Sequence, residues 1–241
     1  MKKQFLLAGL ATLCSVAFAQ TDYQQFEVMN ITPKLDKIDL LRKGLSAHNK
    51  KYHAAAPYKA SVTSVLTGPN SGDFTWVMGP TTWTQLDGAP GMGEHMMDWE
   101  KNVNPYCESI GEMSYWREVK DARYDAEGSA GFRKSSMRAN YVRSGQMDRY
   151  LEQVKKLAEM FRKKKYTASF SVATRVNAST GINAVSFISF DKWAWFDNGY
   201  YFQKDFDEVH GAGAWTRFLA EIEICVDTSR TYTELSETLV D

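Results

Sequence analysis

The sequence predicts an α+β fold built from two tandem β-α-β-β-α-β units. One observation is a long internal repeat, in which Asn30 recurs as Asn140 and Trp83 recurs as Trp193, both 110 positions later. A second is that strand-like and helix-like hydrophobic periods follow each other in the same order in each half. A repeat of this length indicates a duplicated domain rather than a solenoid of short units.

Residues 1–19 have the form of a secretory signal peptide. The basic pair Lys2 and Lys3 precedes an apolar stretch that ends in Ala17-Phe18-Ala19, an A-x-A cleavage pattern. This stretch is too short to span a membrane, and no later segment is long and apolar enough to do so. We therefore expect a mature bacterial protein that begins at Gln20 and is exported to the periplasm or the medium.

The first unit covers residues 22–121. After an alternating stretch that predicts a strand, Thr32-Pro33 offers a helix cap followed by proline at the first helical position. Dense turn residues between 68 and 73 indicate a hairpin. The predicted elements are a strand over 26–31, a helix from 33 to 45, strands over 58–66 and 74–78, a helix over 95–107 and a strand over 114–119.

The second unit covers residues 136–241 and follows a predicted linker, residues 122–135, which is polar, contains glycine and lacks periodicity. Its first helix has a stripe of apolar residues at helical spacing, from Met147 to Phe161. The predicted elements are a strand over 136–142, a helix over 147–161, strands over 168–176 and 184–190, a helix over 205–226 and a strand over 231–235.

This element order is that of the ferredoxin-like unit, an antiparallel four-stranded sheet with both helices on one face. Two such sheets can bury their bare faces against each other in a barrel-like arrangement. The chain therefore resembles the dimeric α/β-barrel superfamily, which includes antibiotic-biosynthesis-type monooxygenases, NIPSNAP-like proteins and haem-binding relatives of chlorite dismutase. The resemblance covers nearly the whole mature chain but rests on element order and duplication, without the motif of a single family.

Composition excludes one class of partner. Removal of Lys2 and Lys3 lowers the 29 basic residues to 27, against 29 acidic residues. A net charge near −2 provides no electrostatic footprint for DNA or RNA. The aromatic content of 13% leaves rings available for a small-molecule pocket or for contact with a second subunit.

The cysteines and histidines do not predict a metal site. No C-x-x-C motif is present, and His48 and His53, five positions apart, are expected to point to different faces of a helix. Cys107 and Cys225 can form a disulfide in an exported protein or remain two buried thiols, and the sequence leaves both alternatives open.

The predicted second helix of each unit carries a histidine followed by a tryptophan. His95 precedes Trp99 by four positions, and His210 precedes Trp215 by five. An imidazole beside an indole can serve as an acid–base group and a binding wall, and an imidazole can also be an axial ligand of haem. The alternative is that both tryptophans pack in the core while both histidines are partly exposed.

The repeated asparagines, Asn30 and Asn140, lie in predicted strands, where asparagine is uncommon. Either these amides reach into a ligand cavity or they bond the strand end and the following helix cap. The loop from Trp193 to Phe202 is rich in rings, which can stack an aromatic ligand or contact a second subunit.

We predict a ligand cavity between the sheet and the helices of the second unit. Its lining should include Asn140, His210, Trp215 and Tyr232, with Trp193 at the rim. Among these residues His210 would be the general base near neutral pH.

Four functions are compatible with the sequence. The first is an exported small-molecule-binding protein. The second is a cofactor-free oxygenase or isomerase of the kind that this architecture hosts, and the third is a haem protein with His95 or His210 as axial ligand. The fourth is a structural or assembly module that binds another protein through its ring-rich loop.

Overall fold

A computed structural model describes residues 23–177, 181–198 and 201–239, so the predicted signal peptide lies outside the described residues. The strands are β1 (Gln25–Pro33), β2 (Ala60–Val65), β3 (Phe74–Thr81), β4 (Cys107–Ile110), β5 (Ser114–Glu118), β6 (Lys134–Asn140), β7 (Ser169–Arg175), β8 (Ala184–Phe190) and β9 (Tyr232–Thr238). The helices are α1 (Ile38–Tyr52), α2 (Trp83–Leu86), α3 (Glu94–Asn102), α4 (Met147–Lys164), α5 (Phe202–His210) and α6 (Ala214–Cys225).

Eight of the nine strands close into an antiparallel barrel. In the first half the strand order is β5-β1-β3-β2, and in the second half it is β9-β6-β8-β7. The fourth barrel strand of each half pairs with the second strand of the other half, through β5–β7 and β2–β9. Closure removes the free strand edges on which sheets aggregate. The predicted mixed α and β class and the antiparallel pairing are confirmed, whereas the duplication and the domain boundaries stay predictions.

Side-chain alternation divides the described residues into an inner core and two main outer cores, and a smaller cluster around Phe190 and Trp195 lies apart from them. Inward positions enclose a small core around Ala139, Ala173 and Val185. Outward positions of the first half pack against α1 and α3, and those of the second half pack against α4, α5 and α6. Because successive strand residues face opposite sides, one closed sheet supplies both the barrel interior and the floor of each helix layer.

Three elements differ from the predictions. The helix predicted at Thr32-Pro33 begins later, because β1 continues through Pro33 and pairs there with β4. The helix predicted over 95–107 ends at Asn102, and a 3-10 turn, Asn104–Tyr106, leads into β4. The helix predicted over 205–226 is split into α5 and α6 at Gly211 and Gly213, whose φ angles of 95° and 71° interrupt a right-handed helix.

Cys107 and Cys225 are free thiols, each buried in a different outer core. Burial raises the pKa of Cys107 to about 11. Of the two alternatives left open by the sequence, the structure therefore has the unpaired thiols. No helix within the described part of the chain is long and apolar enough to cross a bilayer.

Candidate functional site

The barrel encloses a cavity of about 560 Å³ that is lined by inward-facing side chains of its strands. Its apolar wall includes the rings of Phe26, Trp116 and Phe187 together with Met137 and Val185. This volume lies within the range of roughly 300–1,000 Å³ that small-molecule sites occupy. We refer to it as the barrel cavity.

A buried carboxylate provides the main polar feature of the barrel cavity. Glu234 on β9 is 4% exposed, and its Oε1 accepts hydrogen bonds from Asn70 Nδ2 at 2.7 Å and from the Asn70 backbone N–H at 3.2 Å. Burial raises the pKa of Glu234 above its usual value, and the two Asn70 hydrogen bonds oppose this shift. Burial also raises the pKa of the neighbouring Tyr232, and the charge of Glu234 adds to that rise.

These polar groups gather at one end of the barrel. Tyr232 begins β9, Arg175 ends β7, and Asn70 lies in the turn from β2 to β3, and antiparallel pairing brings these positions to the same end. There the Arg175 guanidinium pairs with Glu112 at 2.6 Å. The barrel cavity is therefore apolar along its walls and polar at this end, while the ion pair between Arg123 and Glu118 lines it toward the opposite end.

Two of the predicted site residues line the barrel cavity, namely Asn30 and Tyr232. The Asn30 Oδ1 accepts a hydrogen bond from Thr75 Oγ1 at 3.1 Å. Asn140, by contrast, is buried beneath α4, where its Nδ2 donates to the Tyr150 hydroxyl at 3.2 Å. Of the two alternatives for these asparagines, Asn30 therefore lies at a cavity, whereas Asn140 is hydrogen-bonded beneath a helix layer.

His210 does not approach Asn140 or Tyr232 in a shared pocket. It lies in a surface groove of about 470 Å³ formed by α4, α5 and α6, among charged side chains such as Arg149 and Glu221. His210 Nε2 lies 3.0 Å from the Lys156 carbonyl oxygen. The predicted set of one base and three lining residues is therefore divided between the groove, the helix layer and the barrel interior.

The remaining lining residue, Trp215, and the predicted rim residue, Trp193, have packing roles. Trp215 stacks on Phe218 with ring centroids 5.1 Å apart and belongs to the outer core of the second half. Trp193 is 36% exposed and contacts Phe190 edge-on. Neither tryptophan lines the barrel cavity.

His95 and Trp99, the corresponding pair of the first half, lie in a histidine cluster. The rings of His48, His53 and His95 converge between α1 and α3, and Trp99 contacts the His48 ring edge-on at 5.0 Å. The expectation that His48 and His53 point to different faces of a helix is wrong. Helix α1 ends at Tyr52, so His53 leaves the helix with φ −129° and ψ 32°, and its ring turns toward His48.

Both histidines proposed as axial ligands of haem have ring nitrogens engaged with other groups of the protein. His95 Nε2 lies 3.1 Å from His48 Nε2 and 3.0 Å from His53 Nε2. The Nε2 of His210 is bonded to a carbonyl, and its Nδ1 lies 4.0 Å from a Glu159 carboxylate oxygen. These residues do not fit haem as they are arranged here, and haem binding stays a hypothesis to be tested.

Sequence reasoning missed Glu234 and Asn70. Tyr232, Glu234 and Ser236 alternate along the last strand, which does indicate that they share one face. Nothing in the local sequence shows that this face is buried, because the barrel interior forms only when β9 pairs with β2 of the other half.

No protein-family model and no curated protein matches the chain. Among solved structures, a candidate monooxygenase from Lactobacillus acidophilus superposes with a TM-score of 0.58 at 11% identity, over 90% of this chain and 94% of that one. An anthrone oxidase-like protein gives 0.53 at 10% identity, over 91% and 93%. A mutant chlorite dismutase from Candidatus Nitrospira defluvii gives 0.56 at 6% identity, over 91% and 93%. At 11% identity or below these likenesses concern the fold alone: the chain has the same α/β-barrel architecture as these proteins, which is the architecture that the element order predicts.

Proposed function

We propose that this chain is an exported small-molecule-binding protein whose ligand occupies the barrel cavity. The observation that carries this proposal is an internal cavity of about 560 Å³ with apolar and aromatic walls and a few polar groups, among them the buried carboxyl of Glu234, which is held by Asn70. A pocket that is mostly apolar, with a few converging polar groups, is the usual form of a small-molecule site.

The lining defines the chemistry of the ligand. The rings of Phe26, Trp116 and Phe187 favour a flat, apolar and preferably aromatic body. At the polar end the Glu234 carboxyl, held by Asn70, is placed to hydrogen-bond with a ligand: it accepts from a ligand hydroxyl, and when protonated it donates to a ligand oxygen. We therefore expect a neutral aromatic molecule with one carbonyl or hydroxyl group.

The first experiment measures binding of N-phenyl-1-naphthylamine, a neutral aromatic dye, by its fluorescence. Ala173 faces the barrel interior, so Ala173→Phe should fill the cavity and abolish the fluorescence increase. The matched control, Ala220→Phe, adds the same ring at an exposed position of α6 and should leave binding unchanged. Equal binding by both folded variants would place the dye outside the barrel and reject the cavity as the ligand site.

A second candidate function is a cofactor-free oxygenase or isomerase. One observation favours it: Glu234 is a buried carboxyl with a raised pKa beside Tyr232, an arrangement suited to proton transfer. In this alternative Glu234 replaces His210 as the acid–base residue. Once a ligand is identified, conversion by the wild type and its loss in Glu234→Gln, with binding retained, would distinguish an enzyme from a binding protein.

The hypotheses of haem binding and of homo-oligomer formation have direct tests. Addition of haem to the purified chain should leave the Soret band of free haem unshifted, because His95 and His210 are engaged elsewhere. Light scattering measures the oligomeric state. If the chain forms a homo-oligomer, we expect the subunits to contact each other through the exposed rings of Trp193, Phe196 and Tyr201.

A further inference from the structure

We propose a second, independent site in this protein, in which His48, His53 and His95 bind a divalent transition-metal ion such as Zn²⁺ through their Nε2 atoms. The site lies outside the barrel, where the end of α1 meets the first turn of α3. The proposal does not depend on the function of the barrel cavity.

The spacing of the nitrogen atoms fits one ion. His95 Nε2 lies 3.1 Å from His48 Nε2 and 3.0 Å from His53 Nε2, and the candidate ligand atoms of all three residues lie within 4.8 Å of one another. Zinc–nitrogen bonds of about 2.0–2.1 Å in tetrahedral geometry place neighbouring nitrogens about 3.3 Å apart. Small ring rotations are therefore enough to place all three nitrogens around a common centre.

The hydrogen bonds on the far side of each ring assign its proton. His48 Nδ1 donates to Asp98 Oδ2 at 2.8 Å, and His53 Nδ1 donates to the Tyr58 carbonyl oxygen at 3.0 Å. The His95 ring is bonded to the backbone of Gly91, and we assign this bond to Nδ1 because Nε2 already faces two imidazoles. In neutral rings the three Nε2 atoms therefore carry lone pairs, not protons.

Three converging imidazole lone pairs form a donor set suited to a cation. His48 and His53 are 1% and 3% exposed, so water does not surround their Nε2 atoms. A metal ion satisfies all three acceptors at once, and three neutral imidazoles favour zinc, copper or nickel over magnesium or calcium.

The residues around the cluster hold the histidine rings in position, as the residues behind the ligands of a metal site do. Asp98 orients His48 and is itself fixed by a hydrogen bond of 2.9 Å from Asn102 Nδ2. A carboxylate that holds the far nitrogen of a ligating histidine fixes its tautomer and raises its basicity. The indole rings of Trp76 and Trp99 pack edge-on against His53 and His48, which limits ring motion. The partly exposed His95 marks the side from which an ion can enter.

Zinc titration of the tag-free mature chain, after removal of metal with a chelator, tests the proposal by calorimetry. We expect one equivalent of ZnCl₂ to bind and to raise the melting temperature, while MgCl₂ produces neither effect. Replacement of zinc by CoCl₂ should give the intense visible absorption of four-coordinate Co²⁺. Failure of the folded wild type to bind zinc would overturn the proposal.

The chain contains four histidines, so the one outside the cluster supplies a matched control. His95→Ala removes the partly exposed ligand and should abolish stoichiometric binding, whereas His210→Ala should bind one equivalent as the wild type does. Asp98→Asn keeps all three ligands but weakens the support of His48, so zinc affinity should fall about 10–100-fold while circular dichroism stays unchanged. Retention of full binding by His95→Ala, or its loss in His210→Ala, would reject the assignment.

Discussion

Replacement of Tyr150 by phenylalanine tests whether Asn140 is a structural residue or a ligand-binding one. Tyr150 is 2% exposed, and its hydroxyl accepts the hydrogen bond from Asn140 Nδ2 at 3.2 Å. Burial raises the pKa of Tyr150 to about 12, so the hydroxyl is neutral throughout the physiological range. Because Asn140 is also buried, removal of the hydroxyl leaves an amide N–H without this acceptor.

The expected loss follows from the cost of a buried unsatisfied donor, which is about 1–3 kcal/mol. Urea unfolding followed by circular dichroism measures it. For an m-value of about 2 kcal/mol per molar, a loss of about 1.5 kcal/mol lowers the urea midpoint by about 0.7 M. Tyr201→Phe is the matched control, since Tyr201 is 72% exposed, and its midpoint should not change.

A double-mutant cycle separates the two roles of Asn140. Asn140→Ala should also destabilise the fold, and the combination with Tyr150→Phe should cost less than the two single changes together, because each removes the same hydrogen bond. Dye binding to the barrel cavity should survive in all three folded variants. Unchanged stability combined with lost dye binding would refute the structural role and restore Asn140 as a ligand residue.

Three further predictions concern stability and processing. Gly44→Ala should destabilise the chain by several kcal/mol in urea unfolding, since its Cβ would lie 2.0 Å from the backbone oxygen of Asn102; Gly131→Ala, with open space around the Cβ, should be nearly neutral. Burial raises the pKa of Glu234 in the folded protein above 4.5, so the folded protein holds this proton more tightly than the unfolded chain. The resulting gain in the free energy of unfolding is present below pH 4.5 and is lost as the pH rises through the folded pKa. Glu234→Gln should therefore gain stability relative to wild type with increasing pH, whereas the exposed Glu127→Gln should not. N-terminal sequencing of protein exported by a bacterial host should begin at Gln20, and retention of Met1 would contradict the signal-peptide assignment.

The sequence alone was sufficient for most of the element types and for the fold class. Residue alternation in strands such as β3, and the helical stripe of α4, are local consequences of burying one side of an element, so they can be read without knowledge of its partners. Boundaries were less accessible, because β1 extends through Pro33 only where β4 is present to pair with it.

The candidate sites depended on contacts between distant parts of the chain. A shift of one residue reverses the face of a strand position, so the matched spacing of Asn30 and Asn140 did not reveal that one amide faces the barrel and the other faces α4. Similarly, the spacing of His48 and His53 is unfavourable on a continuous helix and becomes favourable because α1 ends between them.

Local periodicity thus determined which elements form and which of their sides are apolar. Only the tertiary structure decided which side chains meet, because Glu234 becomes buried through pairing of β9 with β2, and His95 reaches His48 and His53 through packing of α3 on α1. Both sites are assembled from residues far apart in the chain, and no local sequence pattern indicates that these residues lie close together in the folded protein.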